Sequence, residues 1–241
     1  MLTAVELLGQ QARQWHIEFD SASLHSLSLY ADILANYKLA NVIGTRERDK
    51  IVLDHLIDAL SCYVLDDVRS RRSLIDVGSG AGLPGIPLSI IRPELTVTLL
   101  EATQKKVRFL QHAREILHLP NLEVLHGRAE EVARTKHREA YDLATARALA
   151  ALPVVLEYCG PLVGVGGVII AMKGHLSEEE LFQGATAARE LRLKLREVRK
   201  VEFCSQLPPK ERSLAVYDKL AATPRSFPRQ PGIAKKRPLG T

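Results

Sequence analysis

A glycine-rich segment is the part of this chain whose residue types and spacing best suit ligand binding. It runs from Asp76 to Gly85 with the sequence DVGSGAGLPG, at the end of the apolar run Leu74–Val77. Glycines let a backbone turn sharply and approach a ligand closely, and the amide groups of a following helix face that ligand. Three of these glycines also match GxGxxG, the dinucleotide-binding pattern, although a single match is weak evidence. A glycine-rich turn without any ligand is the simpler alternative.

Glu101 is the second candidate, directly after the run Thr96–Leu100. A carboxylate at the end of a strand can accept hydrogen bonds from both ribose hydroxyls of a nucleoside, in NAD sites and in S-adenosylmethionine sites alike. The alternative is an ordinary solvated acid. Together with the glycine segment, Glu101 predicts a cofactor that contains a nucleoside, and position alone does not decide which one.

The elements that must position these residues follow an alternating pattern. Short apolar runs alternate with helical stretches, which predicts an α/β fold with a doubly wound, mostly parallel sheet. The predicted strands are Leu74–Val77, Val97–Leu100, Leu122–Leu125, Tyr141–Thr145 and Val165–Met172. Two further runs, Lys194–Phe203 and Ser213–Leu220, have too few residues between them for a crossover helix. We therefore expect these last strands to be antiparallel neighbours. The helix after the glycine segment is expected to begin at Pro84.

The chain divides into three parts within a single globular domain. Apolar residues at helical spacing predict an N-terminal helical extension over 1–70, followed by a Rossmann-like core over 71–223. Residues 224–241 form a C-terminal tail with four prolines in eighteen residues, which we expect to be extended and poorly packed.

The net charge of +5 belongs to the tail. The tail has no acid, and its five cations are Arg225, Arg229, Lys235, Lys236 and Arg237. In the rest of the chain, acidic and basic residues balance. A basic segment without acids is suited to RNA phosphates, and we expect these five residues to bind RNA.

Several classes of protein are excluded by composition. The three cysteines and eight histidines show no zinc-binding spacing, so we expect no metal. No apolar run is long enough to span a bilayer, and no signal peptide is recognisable, so we expect a cytoplasmic protein without a membrane partner. The sequence contains no coiled-coil seam, and a monomer is expected.

Four ordered motifs give the chain a specific resemblance. LIDVGSGAGLPGIPLSI, LLEATQKKVRFL, GRAEE and FPRQPGIAKKRPL resemble the bacterial 16S ribosomal RNA guanine-N7 methyltransferase family, also called glucose-inhibited division protein B. The match runs from about Tyr30 to Leu239. It implies the fold of S-adenosylmethionine-dependent methyltransferases, with S-adenosylmethionine as cofactor. It also implies methyl transfer to N7 of a decoding-region guanine, with 16S rRNA or a small-subunit assembly intermediate as partner.

The resemblance also implies the residues of the site. Asp76 supports it, because dehydrogenase patterns usually have an apolar residue at that place. The implied cofactor contacts, together with the loop glycine Gly80, are Gly78, Leu83, Glu101, Ala102, Thr103, Ala129, Glu130 and Arg147, of which Ala129 and Glu130 would frame the adenine. Two other functions stay open at this point: methylation of a small molecule or protein, and RNA binding without catalysis.

Arg147 is also the candidate catalytic residue. It follows the predicted fourth strand, at the edge where ligands of open α/β sheets bind. Its guanidinium can bond the guanine O6, a phosphate or the cofactor carboxylate, and the alternative is a surface salt bridge to Glu101 or Glu130. Lys173, at the same edge, is a candidate phosphate contact for RNA or an ordinary solvated lysine. Guanine N7 carries a free lone pair at neutral pH, so alignment rather than proton removal is the expected work of the site.

His55 and Asp58 form one further pair, three residues apart on one helix face. The resemblance implies a role near the substrate, because the family commonly shows a similar His-Leu-Leu-Asp-Ser-Leu. Ala59 replaces the serine of that pattern. A structural pair that holds two helices together is therefore the favoured interpretation.

Overall fold

The computed structural model describes residues 2–240 and contains one seven-stranded sheet with the order β3-β2-β1-β4-β5-β7-β6. The strands are β1 Ser73–Val77, β2 Thr96–Glu101, β3 Leu122–His126, β4 Tyr141–Arg147, β5 Val163–Lys173, β6 Leu193–Lys200 and β7 Ser213–Lys219. The first five are parallel, and β7 is antiparallel to both β5 and β6. The doubly wound sheet and its antiparallel last strand are confirmed.

Helices cover both faces of this sheet. They are α1 Ala4–Gln14, α2 Ser21–Asn36, α3 Arg48–Lys50, α4 Ile57–Leu60, α5 Asp66–Ser70, α6 Gly85–Ile91, α7 Gln104–Ile116, α8 Ala129–Val132, α9 Leu152–Cys159, α10 Glu178–Glu190 and α11 Ile233–Lys236. A π-helical segment, Ile51–Leu56, joins α3 to α4. The helix after the glycine segment begins at Gly85, one residue later than predicted, with Pro84 as its N-cap. None of the helices within residues 2–240 is long and apolar enough to cross a membrane.

Two hydrophobic clusters hold the layers together. Successive strand residues point to opposite faces, so Leu74 of β1 packs in one cluster and Ile75 in the other. The first cluster includes residues of the N-terminal helices together with α6 and α7. The second includes residues of α8, α9 and α10. Strands buried on both faces explain why β1 and β5 read as continuous apolar runs rather than alternating ones.

The strand order reverses between β1 and β4, which are paired neighbours in the middle of the sheet. In open α/β sheets the crevice at such a reversal, outside the carboxyl ends of the strands, is where ligands bind. The glycine segment follows β1, Glu101 ends β2, and Arg147 ends β4. The topology therefore brings all three candidate groups to one edge.

The C-terminal tail is packed against the protein, and the expectation of a poorly packed tail is wrong. Phe227, Ala234 and Leu239 are buried in the second hydrophobic cluster. Arg138 donates hydrogen bonds to the carbonyl oxygens of Phe227 and Thr223, over 2.9 and 2.8 Å. The three apolar anchors lie five or more residues apart, so they form no periodic pattern that sequence reasoning could recognise.

Candidate active site

The glycine segment turns through three left-handed residues. Gly78, Gly80 and Gly82 have φ values of +70°, +59° and +83°. A Cβ atom at Gly78 would meet the side chain of Leu149 at 2.5 Å, whereas at Gly80 no protein atom lies closer than 3.8 Å. Gly80 is therefore the point at which the backbone faces open space, and a larger side chain there would occupy that space.

Buried groups hold the segment in place. The Asp76 carboxylate accepts hydrogen bonds from the amide of Gly85 (3.2 Å) and from the hydroxyl of Thr145 on β4 (3.1 Å). The Tyr30 hydroxyl of α2 donates to the carbonyl of Ala81. Asp76 is completely buried, and this burial raises the pKa of its carboxyl from 3.8 to about 6. Asp76 thus joins β1, β4 and the start of α6 beneath the loop.

Glu101 connects the loop to the second strand. Its two carboxylate oxygens accept hydrogen bonds from the amide of Gly80 (3.0 Å) and from the amide of Thr103 (2.8 Å). The residue is only 5% exposed. A carboxylate has about four acceptor sites, so each oxygen retains capacity for a ligand hydroxyl. The two backbone amides therefore fix the orientation of the Glu101 carboxylate before any ligand arrives.

A cavity of about 320 Å³, which we call the strand-end cavity, lies between these groups. Its lining includes six of the predicted cofactor contacts: Gly78, Glu101, Ala102, Thr103, Ala129 and Glu130. Sequence reasoning missed other lining residues, among them Lys106, Arg128 and Tyr158, and it predicted Lys235, which also lines the cavity, as an RNA contact only. Lys106 could have been found, because it lies in the motif that contains Glu101. Tyr158 carried no such signal, since only the packing of α9 brings it there.

A second cavity of about 250 Å³, the arginine cavity, adjoins the first. The remaining predicted contacts, Gly80, Leu83 and Arg147, line it. Gly78 lines both cavities and marks their common boundary. All the predicted cofactor contacts therefore lie at one continuous concave region, on both sides of the glycine loop.

Arg147 is held from behind by a buried carboxylate. Its Nε atom donates to Asp58 (2.6 Å), and its Nη2 atom lies 3.1 Å from Nδ1 of His55. Arg212 binds the same carboxylate with two hydrogen bonds of 2.6 Å each. Burial alone would raise the pKa of the Asp58 carboxyl, but the charges of Arg147 and Arg212 hold it below its usual value. Burial and the neighbouring Arg147 also lower the pKa of His55.

Two interpretations of this cluster need correction. Arg147 forms its ion pair with Asp58, and neither Glu101 nor Glu130 is its partner as the alternative interpretation required. Likewise, His55 and Asp58 do not join two helices. They connect the helical segment around α4 to the end of β4, because the arginines from the sheet edge supply the opposite charge.

Two of the predicted RNA contacts are engaged inside the protein. Lys173 forms an ion pair with Glu180 (2.7 Å) and donates to the carbonyl of Ala150. Arg229 binds the buried carboxylate of Glu157 through Nε and Nη2, at 2.9 and 2.6 Å. These bonds give both side chains a structural role. The other four cations of the tail, Arg225, Lys235, Lys236 and Arg237, are exposed.

The strand-end cavity suits an adenosine group by the chemistry of its lining. Glu101 supplies acceptors for hydroxyl groups, and Leu100, Ala129, Leu149 and Tyr158 supply apolar surface for a flat base. Solved methyltransferase structures share the fold of this chain. A precorrin-6y C5,15-methyltransferase from Geobacter metallireducens has a TM-score of 0.51 at 14% identity, over 76% of this chain and 93% of its own. The fold is that of the S-adenosylmethionine-dependent methyltransferases.

Sequence comparison identifies the family within this class. Residues 23–210 match the family described as rRNA small subunit methyltransferase G, and the chain belongs to this family. A relative from Rubrobacter xylanophilus with that name, ribosomal RNA small subunit methyltransferase G, is 44% identical over 98% of this chain and 92% of its own length. A 16S rRNA (adenine(1408)-N(1))-methyltransferase variant from Catenulisporales acidiphilia shares the fold, with a TM-score of 0.52 at 17% identity over 65% of this chain and 89% of its own.

Proposed function

We propose that this enzyme transfers a methyl group from S-adenosylmethionine to N7 of a guanine in 16S rRNA. The observation that carries the proposal is the gathering of the predicted contacts around two adjoining cavities at the reversal of the sheet. Membership of the rRNA methyltransferase family supports RNA as the substrate. The decoding-region guanine and its N7 atom come from the resemblance of the four sequence motifs.

In this proposal each part of the cofactor has residues to hold it. Glu101 accepts from the ribose hydroxyls, Ala102 and Thr103 flank the ribose, and Ala129 lies against the adenine. The glycine loop, with Gly78 at the boundary of the two cavities, approaches the rest of the cofactor. The cofactor itself supplies an activated methyl group on its sulfonium. The residues of the chain bind it, orient it and exclude water.

Arg147 orients the guanine in the arginine cavity. Nε donates to Asp58 and Nη2 lies against His55, whereas Nη1 has no partner within residues 2–240 and can donate to the guanine O6, next to N7. The guanine N7 needs no general base, so a correctly held base is the principal requirement. Fixing the guanidinium in advance reduces the entropy that must be lost when RNA binds.

We expect the partner of the enzyme to be 16S rRNA or an assembly intermediate of the small subunit, and we expect the enzyme to act in the cytoplasm as a monomer. Lys106 and Arg128 line the strand-end cavity, and Arg225, Lys236 and Arg237 are exposed on the docked tail. Salt-bridge partners for these five cations are absent from residues 2–240, so their charges are available to phosphates.

Purified protein tests the proposal directly. We expect incubation with labelled S-adenosylmethionine and unmodified 16S rRNA or small subunits to yield 7-methylguanine in nuclease digests. Gly80→Val should abolish both methylation and cofactor binding, because its side chain fills the space that the loop faces. Gly166→Val is the matched control, since Gly166 also has a positive φ (+81°) and open space, but lines neither cavity. Methyl transfer only to small molecules or to protein would refute the RNA substrate.

A further inference from the structure

The C-terminal tail forms part of the wall of the strand-end cavity. The backbone amide of Gly232 donates a hydrogen bond to Oε1 of Glu130 over 2.9 Å. Glu130 lines the cavity and is 3% exposed. Burial raises the pKa of Tyr158, another lining residue, to about 12, with a further contribution from its hydrogen bond to Glu130. Glu130 thus lines the cavity and also binds the tail.

Lys235, three residues beyond Gly232, reaches the cavity. It lies on the short helix α11 and is among the residues that line the strand-end cavity. Its neighbour Ala234 is 1% exposed and anchors α11 in the second hydrophobic cluster. Lys236, the next residue, is equally cationic and exposed, but lines neither cavity.

The position of α11 is fixed by internal bonds earlier in the tail. Arg229 forms a two-pronged ion pair with Glu157, whose side chain is 1% exposed. The amide of Arg229 donates to the same carboxylate over 3.1 Å. Ordering a chain end costs conformational entropy, and the hydrogen bonds of Arg229 to Glu157 offset that cost. Lys235 is therefore presented to the cavity by a docked segment.

We propose that Lys235 is a cofactor-binding residue at the base end of the strand-end cavity, and that the tail is a built-in wall of this site. Its location sets the part of the ligand that it meets. Glu101 marks the ribose, whereas the segment of Lys235 is joined to Glu130 through the amide of Gly232. Glu130 in turn bonds to Tyr158, which supplies lining suited to a flat base. An ammonium group is a donor only, and the ring nitrogens of a purine are acceptors. The proposal rests on the adenosine cofactor proposed above.

Two neighbouring lysines provide a matched experiment. Lys235→Ala and Lys236→Ala remove the same charge from the same helix, so a general electrostatic effect would act on both. We expect Lys235→Ala to weaken binding of S-adenosylhomocysteine by roughly tenfold in calorimetry, the loss of one charge-assisted hydrogen bond. Lys236→Ala should stay within about twofold of the unaltered protein. The rise in Tm on adding the ligand should shrink only for Lys235→Ala.

A second ligand shows which part of the cofactor Lys235 meets. 5′-Methylthioadenosine has the adenosine group but lacks the amino-acid part. If Lys235 binds the base, Lys235→Ala weakens both ligands by the same factor. A loss for S-adenosylhomocysteine alone would place Lys235 at the amino-acid carboxylate and overturn the assignment.

Three other results distinguish a failure of the Lys235 assignment from a failure of the proposed cofactor site. Equal affinities for both lysine variants and the unaltered protein would refute a cofactor role for Lys235. Failure of the unaltered protein to bind either ligand would instead refute the proposed cofactor site. A fall in rRNA affinity of equal size in both variants, with cofactor affinity unchanged, would return Lys235 to the group of RNA contacts.

Discussion

Arg147 differs from the other cations near the cavities because its guanidinium is already fixed by a buried ion pair. Asp58 holds it, and Arg212 balances the charge of Asp58 from the other side. Such a cluster resembles the supporting residues of a preorganised site, which lock a functional side chain before the substrate arrives. Sequence reasoning identified Arg147 and Asp58 separately. It could not find Arg212, because nothing in the sequence around a single arginine before β7 indicates that the side chain binds Asp58.

Replacement of Arg147 should separate turnover from cofactor binding. We expect Arg147→Ala to lower kcat by roughly a hundredfold or more, because the guanine loses its orienting group, with S-adenosylhomocysteine affinity within about threefold. Asp58 keeps Arg212 as a partner, so the protein should still fold. Steady-state kinetics and calorimetry measure the two effects. Equal losses in turnover and cofactor affinity would move Arg147 to the cofactor, and unchanged turnover would remove it from the site.

Asp76 gives a prediction about pH. Burial raises the pKa of its carboxyl from 3.8 to about 6, so between these values the folded protein binds more protons than the unfolded chain. The contribution of Asp76 to the unfolding free energy therefore falls as pH rises from about 4 to about 6, by on the order of 3 kcal/mol. Asp76→Asn removes the titration, and its amide can still accept from Gly85 and donate to Thr145.

Denaturant unfolding of both proteins across this range measures the effect. We expect the unfolding free energy of the unaltered protein to fall relative to Asp76→Asn up to about pH 6, and the difference to stay constant above it. A difference independent of pH would show that the Asp76 carboxyl has the same pKa in the folded and unfolded chains, so that burial does not raise it.

At the scale of elements, the strands were predictable and the tail was not. The runs that became β1 to β5 are apolar and short, and burial on both sheet faces makes such runs conspicuous. The tail depends on contacts distant in sequence, such as Arg229 with Glu157 and Gly232 with Glu130. The position of Glu101 was predictable because it ends an apolar run, and the carboxyl ends of parallel strands form the edge at which ligands bind.

The ion pair of Arg229 should stabilise the docked tail measurably. Arg229→Ala leaves the Glu157 carboxylate buried without its charged partner, and we expect a loss of about 3 kcal/mol in unfolding free energy. Arg225→Ala is the control, because Arg225 is exposed and its change should stay within about 0.5 kcal/mol. Chemical denaturation compares the two. Equal stability of both variants would mean that the tail contributes nothing to folding through this pair.

At the scale of the whole molecule, the net charge of +5 equals the charge of residues 224–241. Docking of the tail places Lys235 in the lining of the strand-end cavity and leaves Arg225, Lys236 and Arg237 exposed on the protein surface, instead of on a free arm. A chain that ends at Thr223 would therefore lose cavity wall together with charge. Point neutralisation of exposed cations is the cleaner way to test their contact with RNA.

Neutralising Arg225, Lys236 and Arg237 with glutamine should reduce the dependence of rRNA binding on salt. Each phosphate contact contributes about 0.7–0.9 to the slope of log affinity against log salt, so the slope should fall by roughly two units. The control changes Arg192, Lys194 and Lys200 to glutamine, which removes the same charge from exposed positions around β6. Filter binding across a salt series gives the slopes. Identical slopes for both triple variants would rule out direct contact of the tail with phosphates.

The position of 7-methylguanine in 16S rRNA from cells that lack this protein tests the central claim most directly. Mass spectrometry of nuclease fragments, with primer extension to locate the base, should show one unmodified guanine in the decoding region. Expression of the unaltered protein should restore its N7 methyl group, and Gly80→Val should not. Full methylation of this guanine in the absence of the protein, or its restoration by Gly80→Val, would show that the enzyme does not make this modification through the proposed site.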